Sequence, residues 1–178
     1  MTDATGVPSP ALIAAVRVLC LLGAVTLVGI PLWFWLSPEW IERLSDQLAG
    51  VRETRIDARA QMLGAAATLL PVAIGLATLW HLWRLFGEYA QGAVFGRPAL
   101  GHLRRFAWAL LAAAVATPLY RGLLSMVLTL GNPLGHRMLV LGFSWNDYMA
   151  VLLAAVLLAI TTIMRGAVQL AEDNDGFV

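Results

Sequence analysis

Four apolar stretches, at about 11–36, 62–86, 103–130 and 148–170, occupy most of the chain and limit what it can fold into. A hydrocarbon core about 30 Å thick is crossed by roughly 20 mainly apolar helical residues, and each stretch is long enough. Of the 178 residues, 60% are hydrophobic and 13% charged, where a soluble domain has roughly 45–50% and about 25%. One soluble core could not hide that excess. The expected fold is all-α: a polytopic membrane protein, built as a four-transmembrane-helix bundle with a short amphipathic helix in the first extracytoplasmic connector. Residues 1–178 then form a single membrane domain.

A net charge of +1 gives no broad field for steering nucleic acid or for holding an anionic membrane surface, so no direct nucleic acid binding is expected and any partner choice must be local. All twelve basic residues are arginine. The single cysteine, Cys20, lies inside the first apolar stretch, which rules out a disulfide framework and leaves it a packing role. Asp3 and no basic residue precedes that stretch, and apolar residues continue from Val18 to Leu36. A cleaved leader has a basic start and a shorter apolar segment, so the first span is expected to be retained as an anchor.

Along the chain, Arg17 can snorkel toward the headgroups, and Trp33, Trp35 and Trp40 are expected at the opposite interface. Ser37-Pro38-Glu39 is a helix start signal. It opens the connector 37–61, where Ile41, Leu44, Leu48 and Val51 recur at helical spacing opposite Glu42, Arg43, Asp46 and Arg52. In the second span Ala73 and Ala77 make a small-xxx-small step for close helix approach, as do Ala150 with Ala154 and Ala155 with Ala159 in the fourth. Trp80, His81, Trp83 and Arg84 read as an interfacial group. The three histidines are too scattered in sequence for a metal set, and no zinc spacing is present. Thr161 and Thr162 are expected to bond back to their own helix.

The third span carries Arg121, whose guanidinium would cost at least about 2.5–3.5 kcal/mol at mid-bilayer. It is expected at the far interface beside Tyr120. The competing placement faces a polar cavity, where Arg121 and Asp147 form a candidate intramembrane polar site.

Between the second and third spans lies the hinge, residues 87–102. The second helix should end near Gln91 with Gly92 as a left-handed stop, Phe95 packing back against the bundle and Pro98 starting the next helix. Arg84 and Glu88 are spaced for a surface pair. Arg97, Arg104 and Arg105 are expected first as topology determinants and second, with Glu172, Asp173 and Asp175 of the acidic tail 171–178, as candidate partner contacts. Counting arginines on the two sides gives a tie, so charge alone does not orient the chain.

Leu85-Phe86, Tyr89, Gly92 and Phe95, followed by Leu103-Arg104-Arg105, resemble the central signature of DUF2975, a bacterial membrane family of unknown function. Met164-Arg165-Gly166-Ala167-Val168-Gln169-Leu170, then Glu172-Asp173-Asn174-Asp175 with Phe177-Val178, is similar to that family's closing helix and acidic end. The similarity covers most of the chain from the first span onward. Gly96 departs from it, since the family pattern more often has Ser or Thr there to cap the next helix. The resemblance implies a four-helix protein of the bacterial cytoplasmic (inner) membrane with both termini in the cytoplasm, which breaks the arginine tie. It implies no reaction. Families of this kind are often encoded beside small helix-turn-helix regulators, which makes such a regulator a candidate partner.

Catalysis is not expected. Ser125 is the only serine within the apolar stretches and lacks nucleophile-elbow glycines, the carboxylates cluster in connectors, and no glycine-rich phosphate cradle or other cofactor motif is present. The leading expectation is a non-catalytic module, embedded in the lipid bilayer, that binds a partner protein or self-associates. A small-molecule or lipid sensor, or a transport subunit using Arg121 and Asp147, is the second. A purely structural membrane protein is the third.

Overall fold

The computed structural model describes residues 8–37, 39–40, 58–94, 96–130 and 139–175, the last five as helix backbone. The described residues form four long helices: α1 (Pro10–Leu36), α2 (Ala58–Ala90), α3 (Arg97–Leu128) and α4 (Trp145–Asp175). They have 27, 33, 32 and 31 residues. At a rise of 1.5 Å per residue that is about 40–50 Å each, more than the hydrocarbon core requires, so their ends stand in or beyond the headgroups. All four contain a window apolar enough to cross a membrane. The protein is an integral membrane protein whose described elements are all long helices.

Local chemistry sets the helix ends. Ser9 caps α1, accepting the Leu12 N–H at 3.4 Å, and Pro10 occupies the first turn where its missing N–H costs nothing. After α2, the Gly92 N–H bonds to the Tyr89 carbonyl and the Ala93 N–H to the Glu88 carbonyl, both at 3.1 Å. This is a Schellman turn, and Gly92 takes it with φ of +80°. Gly92→Ala is therefore expected to destabilise the protein by about 1 kcal/mol through left-handed strain. A melting curve in detergent matching that of the parent would contradict this. Gly96 precedes α3 without a side-chain cap, and Pro98 lies in its first turn. Phe95, residues 41–57 of the expected amphipathic connector and residues 131–138 lie outside the described residues; Glu39 and Trp40, at the expected start of the connector helix, are helical.

Packing follows chain order. α1 packs on α2, α2 on α3 and α3 on α4, and no other helix pair among the described residues brings its backbones together. Consecutive helices run antiparallel, since Trp35 meets Gly64 at one end of α1 and α2 while Arg17 meets Trp83 at the other. The close approaches are made by glycine rather than by the expected alanine step. A Cβ on Gly64 would lie 2.0 Å from the Trp35 ring, and one on Gly75 would lie 2.5 Å from Leu27. Ala73 and Ala77 face outward. In α4, Ala154 is fully buried and Ala155 and Ala159 are exposed.

The core lies at the end away from the hinge, where Trp35, Leu124 and Leu128 cluster with Phe34, Ala65 and Tyr120. Trp35 is thus no interfacial anchor. Its Nε1–H donates to Thr68 Oγ1 at 2.9 Å, and Thr68 also contacts the Tyr120 hydroxyl at 2.8 Å and donates to the Gly64 carbonyl at 2.7 Å. Three helices meet at one threonine hydroxyl. Tyr120 points into this network instead of anchoring at the interface beside Arg121. Trp33 and Trp40 do remain exposed, with ring centroids 5.3 Å apart. Thr161 and Thr162 both donate to the Leu158 carbonyl at 2.8 Å, as expected.

Candidate functional site

Two polar constellations stand at opposite ends of the helices. At the far end, Ser144-Trp145-Asn146-Asp147 forms a capping box at the start of α4. Asp147 Oδ2 accepts the Ser144 backbone N–H and hydroxyl, both at 2.7 Å, while Ser144 Oγ accepts the Asp147 N–H at 3.3 Å. The other carboxylate oxygen, Oδ1, accepts from Arg121 Nη2 of α3 at 2.6 Å. The Asp147 side chain is 5% exposed and that of Arg121 34%. The two residues of the candidate intramembrane polar site are thus in contact, and Arg121 is a paired cation. The pair clamps α3 to the first turn of α4, with both carboxylate oxygens occupied. Sequence reasoning starts this span at about residue 148 and overlooks the S-x-x-D word, which names Asp147 as the reciprocal partner of a serine cap.

Ser125 lies one helical turn beyond Arg121. It is fully buried, donates to the Gly122 carbonyl at 2.8 Å and accepts the Val140 N–H at 2.9 Å. Its hydroxyl pins the stretch before α4 onto α3. Leu141 closes over Gly122, where a Cβ would come within 2.5 Å of it.

At the hinge end, α3 presents Arg97, Gly101, Arg104, Arg105 and Trp108 at i, i+4, i+7, i+8 and i+11, which places them along one stripe. With His81 of α2 and Arg165 of α4 they line a cavity of about 530 Å³. A Cβ at Gly101 would meet nothing within 4 Å, so the space beside this glycine is open. His81 and His102 approach through their Nδ1 atoms at 3.4 Å, which brings together two of the three histidines that looked scattered. No group of three metal-ligating side chains occurs among the described residues. Arg84 and Arg17 belong elsewhere: their guanidinium carbons lie over Trp80 at 5.2 Å and over Trp83 at 5.1 Å. The expected Arg84–Glu88 pair is replaced by that stacking.

The sequence therefore names three of the four cavity arginines, and the structure adds Arg165 and His81. α4 continues as helix through Asp175, past the expected end at Leu170, which carries the backbone of Glu172, Asp173 and Asp175 onward on the hinge side. Their side chains lie outside the description.

A family model described as protein of unknown function (DUF2975) matches residues 11–178. The chain belongs to the DUF2975 family. No curated protein and no solved structure matches it. In this DUF2975 protein, the words that carried the resemblance build the hinge end. Leu85 is buried at 3% exposure, Gly92 makes the turn, and Arg104 and Arg105 line the cavity.

Proposed function

We propose that this DUF2975 protein is a non-catalytic module of the bacterial cytoplasmic membrane that binds an anionic group of a partner in the arginine-lined cavity, on the cytoplasmic side. The observation that carries this reading is the convergence of Arg104, Arg105 and Arg165 on one cavity, with no ion pair to any of them among the described residues. Like charges held together repel, and an anion placed between them relieves the repulsion. Guanidinium forks suit carboxylate and phosphate oxygens. A protein partner, a small helix-turn-helix regulator included, would enter this scheme through an acidic group. The alternative site at Arg121 and Asp147 has less support, because those side chains already satisfy one another.

Thermal unfolding in neutral detergent tests the reading, with pyrophosphate compared against chloride at equal ionic strength. Saturating anion is expected to raise the melting temperature by roughly 5 °C. The combined substitution Arg104→Gln, Arg105→Gln and Arg165→Gln should remove the difference. An equal response in that variant, or none in the parent, would rule out the site.

A further inference from the structure

We infer that the group held in this cavity is the phosphate of an anionic membrane lipid; the inference rests on the cavity being an anion site. Its depth is the first reason. His81, Arg104, Arg105 and Arg165 lie within about 8 Å, at 1.5 Å per residue, of where the apolar stretches end near Phe86, Leu103 and Leu170. Arginines at that level extend their guanidinium groups outward to the plane of lipid phosphates. Trp108 lines the cavity and is 54% exposed, as a tryptophan at the membrane interface should be.

The second reason is the shape of the surface below. The α3 stripe that begins with Arg97, Arg104 and Trp108 continues at helical spacing through Ala112, Val115 and Leu119, with Val115 49% and Leu119 63% exposed. Its upper part is cationic, an indole marks the boundary, and the lower part is apolar for about 15 Å. That order is the order of a phospholipid: phosphate, glycerol, acyl chain. The column is also open from the side, because α2 and α4 each pack on α3 but not on one another. A soluble anion would use only the top of such a surface, and so would the acidic segment of a protein partner. Basic clefts between transmembrane helices are suited to headgroups with uncompensated negative charge. Phosphatidylglycerol has that charge, and phosphatidylcholine cancels it with its ammonium.

The experiment is lipid retention by native mass spectrometry, together with melting curves, on the full-length protein in mixed micelles. Four additives are compared: phosphatidylglycerol, phosphatidylcholine, inorganic phosphate and a soluble glutamate-rich peptide. Phosphatidylglycerol is expected to bind at least tenfold more tightly than phosphatidylcholine and more tightly than phosphate or peptide. The single variant Arg165→Gln should weaken retention severalfold, and the triple glutamine variant at least tenfold. Should the triple variant fail to fold, competition on the parent protein remains decisive, because bound phosphatidylglycerol must resist displacement by phosphatidylcholine. Equal retention of the two lipids overturns the lipid assignment, as does tighter binding of phosphate or of the peptide. In those last two cases the anion site itself survives; if no additive binds, both readings fall.

Discussion

Trp35→Ala is expected to destabilise the protein by about 3 kcal/mol, the lower end of the range for truncating a buried tryptophan. The lower end applies because hydrocarbon lipid is as apolar as the core, so the loss is packing and hydrogen bonding rather than transfer out of water. The ring fills the space left by Gly64, and the residue is 7% exposed. Trp35→Phe separates the two contributions, since it keeps most of the packing and removes only the Nε1–H donor. Thr68 retains the Gly64 carbonyl and Tyr120, so this variant should lose only about 1 kcal/mol. Trp33, two residues earlier and 59% exposed, is the control, and its alanine variant should lose less than Trp35→Ala. Reversible unfolding in detergent gives all three values. If Trp33→Ala costs as much as Trp35→Ala, the three-helix junction at Thr68 is not what holds α1 in place.

The contrast between these two tryptophans shows where the sequence stops being legible. Hydropathy identifies four crossings because lipid forces long apolar helices, and for that purpose it does not matter which face is inside. It cannot separate Trp33 from Trp35, because an apolar residue is equally content against lipid and against protein. Several buried positions are instead marked by small and hydroxyl residues: Gly64, Thr68, Ser125, Thr129, Ala154 and Thr161. Reading small-xxx-small steps captures this logic and picks out Ala154, but it also selects Ala73, Ala77, Ala155 and Ala159, which are exposed, since alanine is also tolerated on the lipid face. The histidine pair could have been found from the hinge alone. His81 and His102 are nearly equidistant from the turn at Gly92, and an antiparallel helix hairpin brings such positions to the same height. Arg165 needs the register of α3 against α4, which depends on the residues between Leu128 and Trp145 and cannot be counted from a short turn. So the sequence shows the hinge arginines as a row on one helix, and only the packing of α4 turns that row into the wall of a cavity.

Asp147→Asn should be the more damaging half of a coupled pair, lowering the melting temperature on the order of 5 °C. Asp147 accepts from Arg121 with one oxygen and from the Ser144 backbone and hydroxyl with the other. An asparagine has one carbonyl oxygen to offer and turns an NH₂ group toward donors on the other side, while Arg121 loses its counter-charge. Arg121→Gln is milder, because the carboxylate keeps both Ser144 hydrogen bonds and the capping box stays closed. The double variant Arg121→Gln with Asp147→Asn should then lose less than the two single losses combined, as expected when removal of one partner strands the other. Strict additivity would mean that the 2.6 Å contact contributes nothing to joining α3 and α4. Both single variants should keep the pyrophosphate response at the hinge end, where neither residue lines the cavity. If that response were lost in folded Asp147→Asn protein, the two ends of α3 would be coupled and the clamp would belong to the binding function.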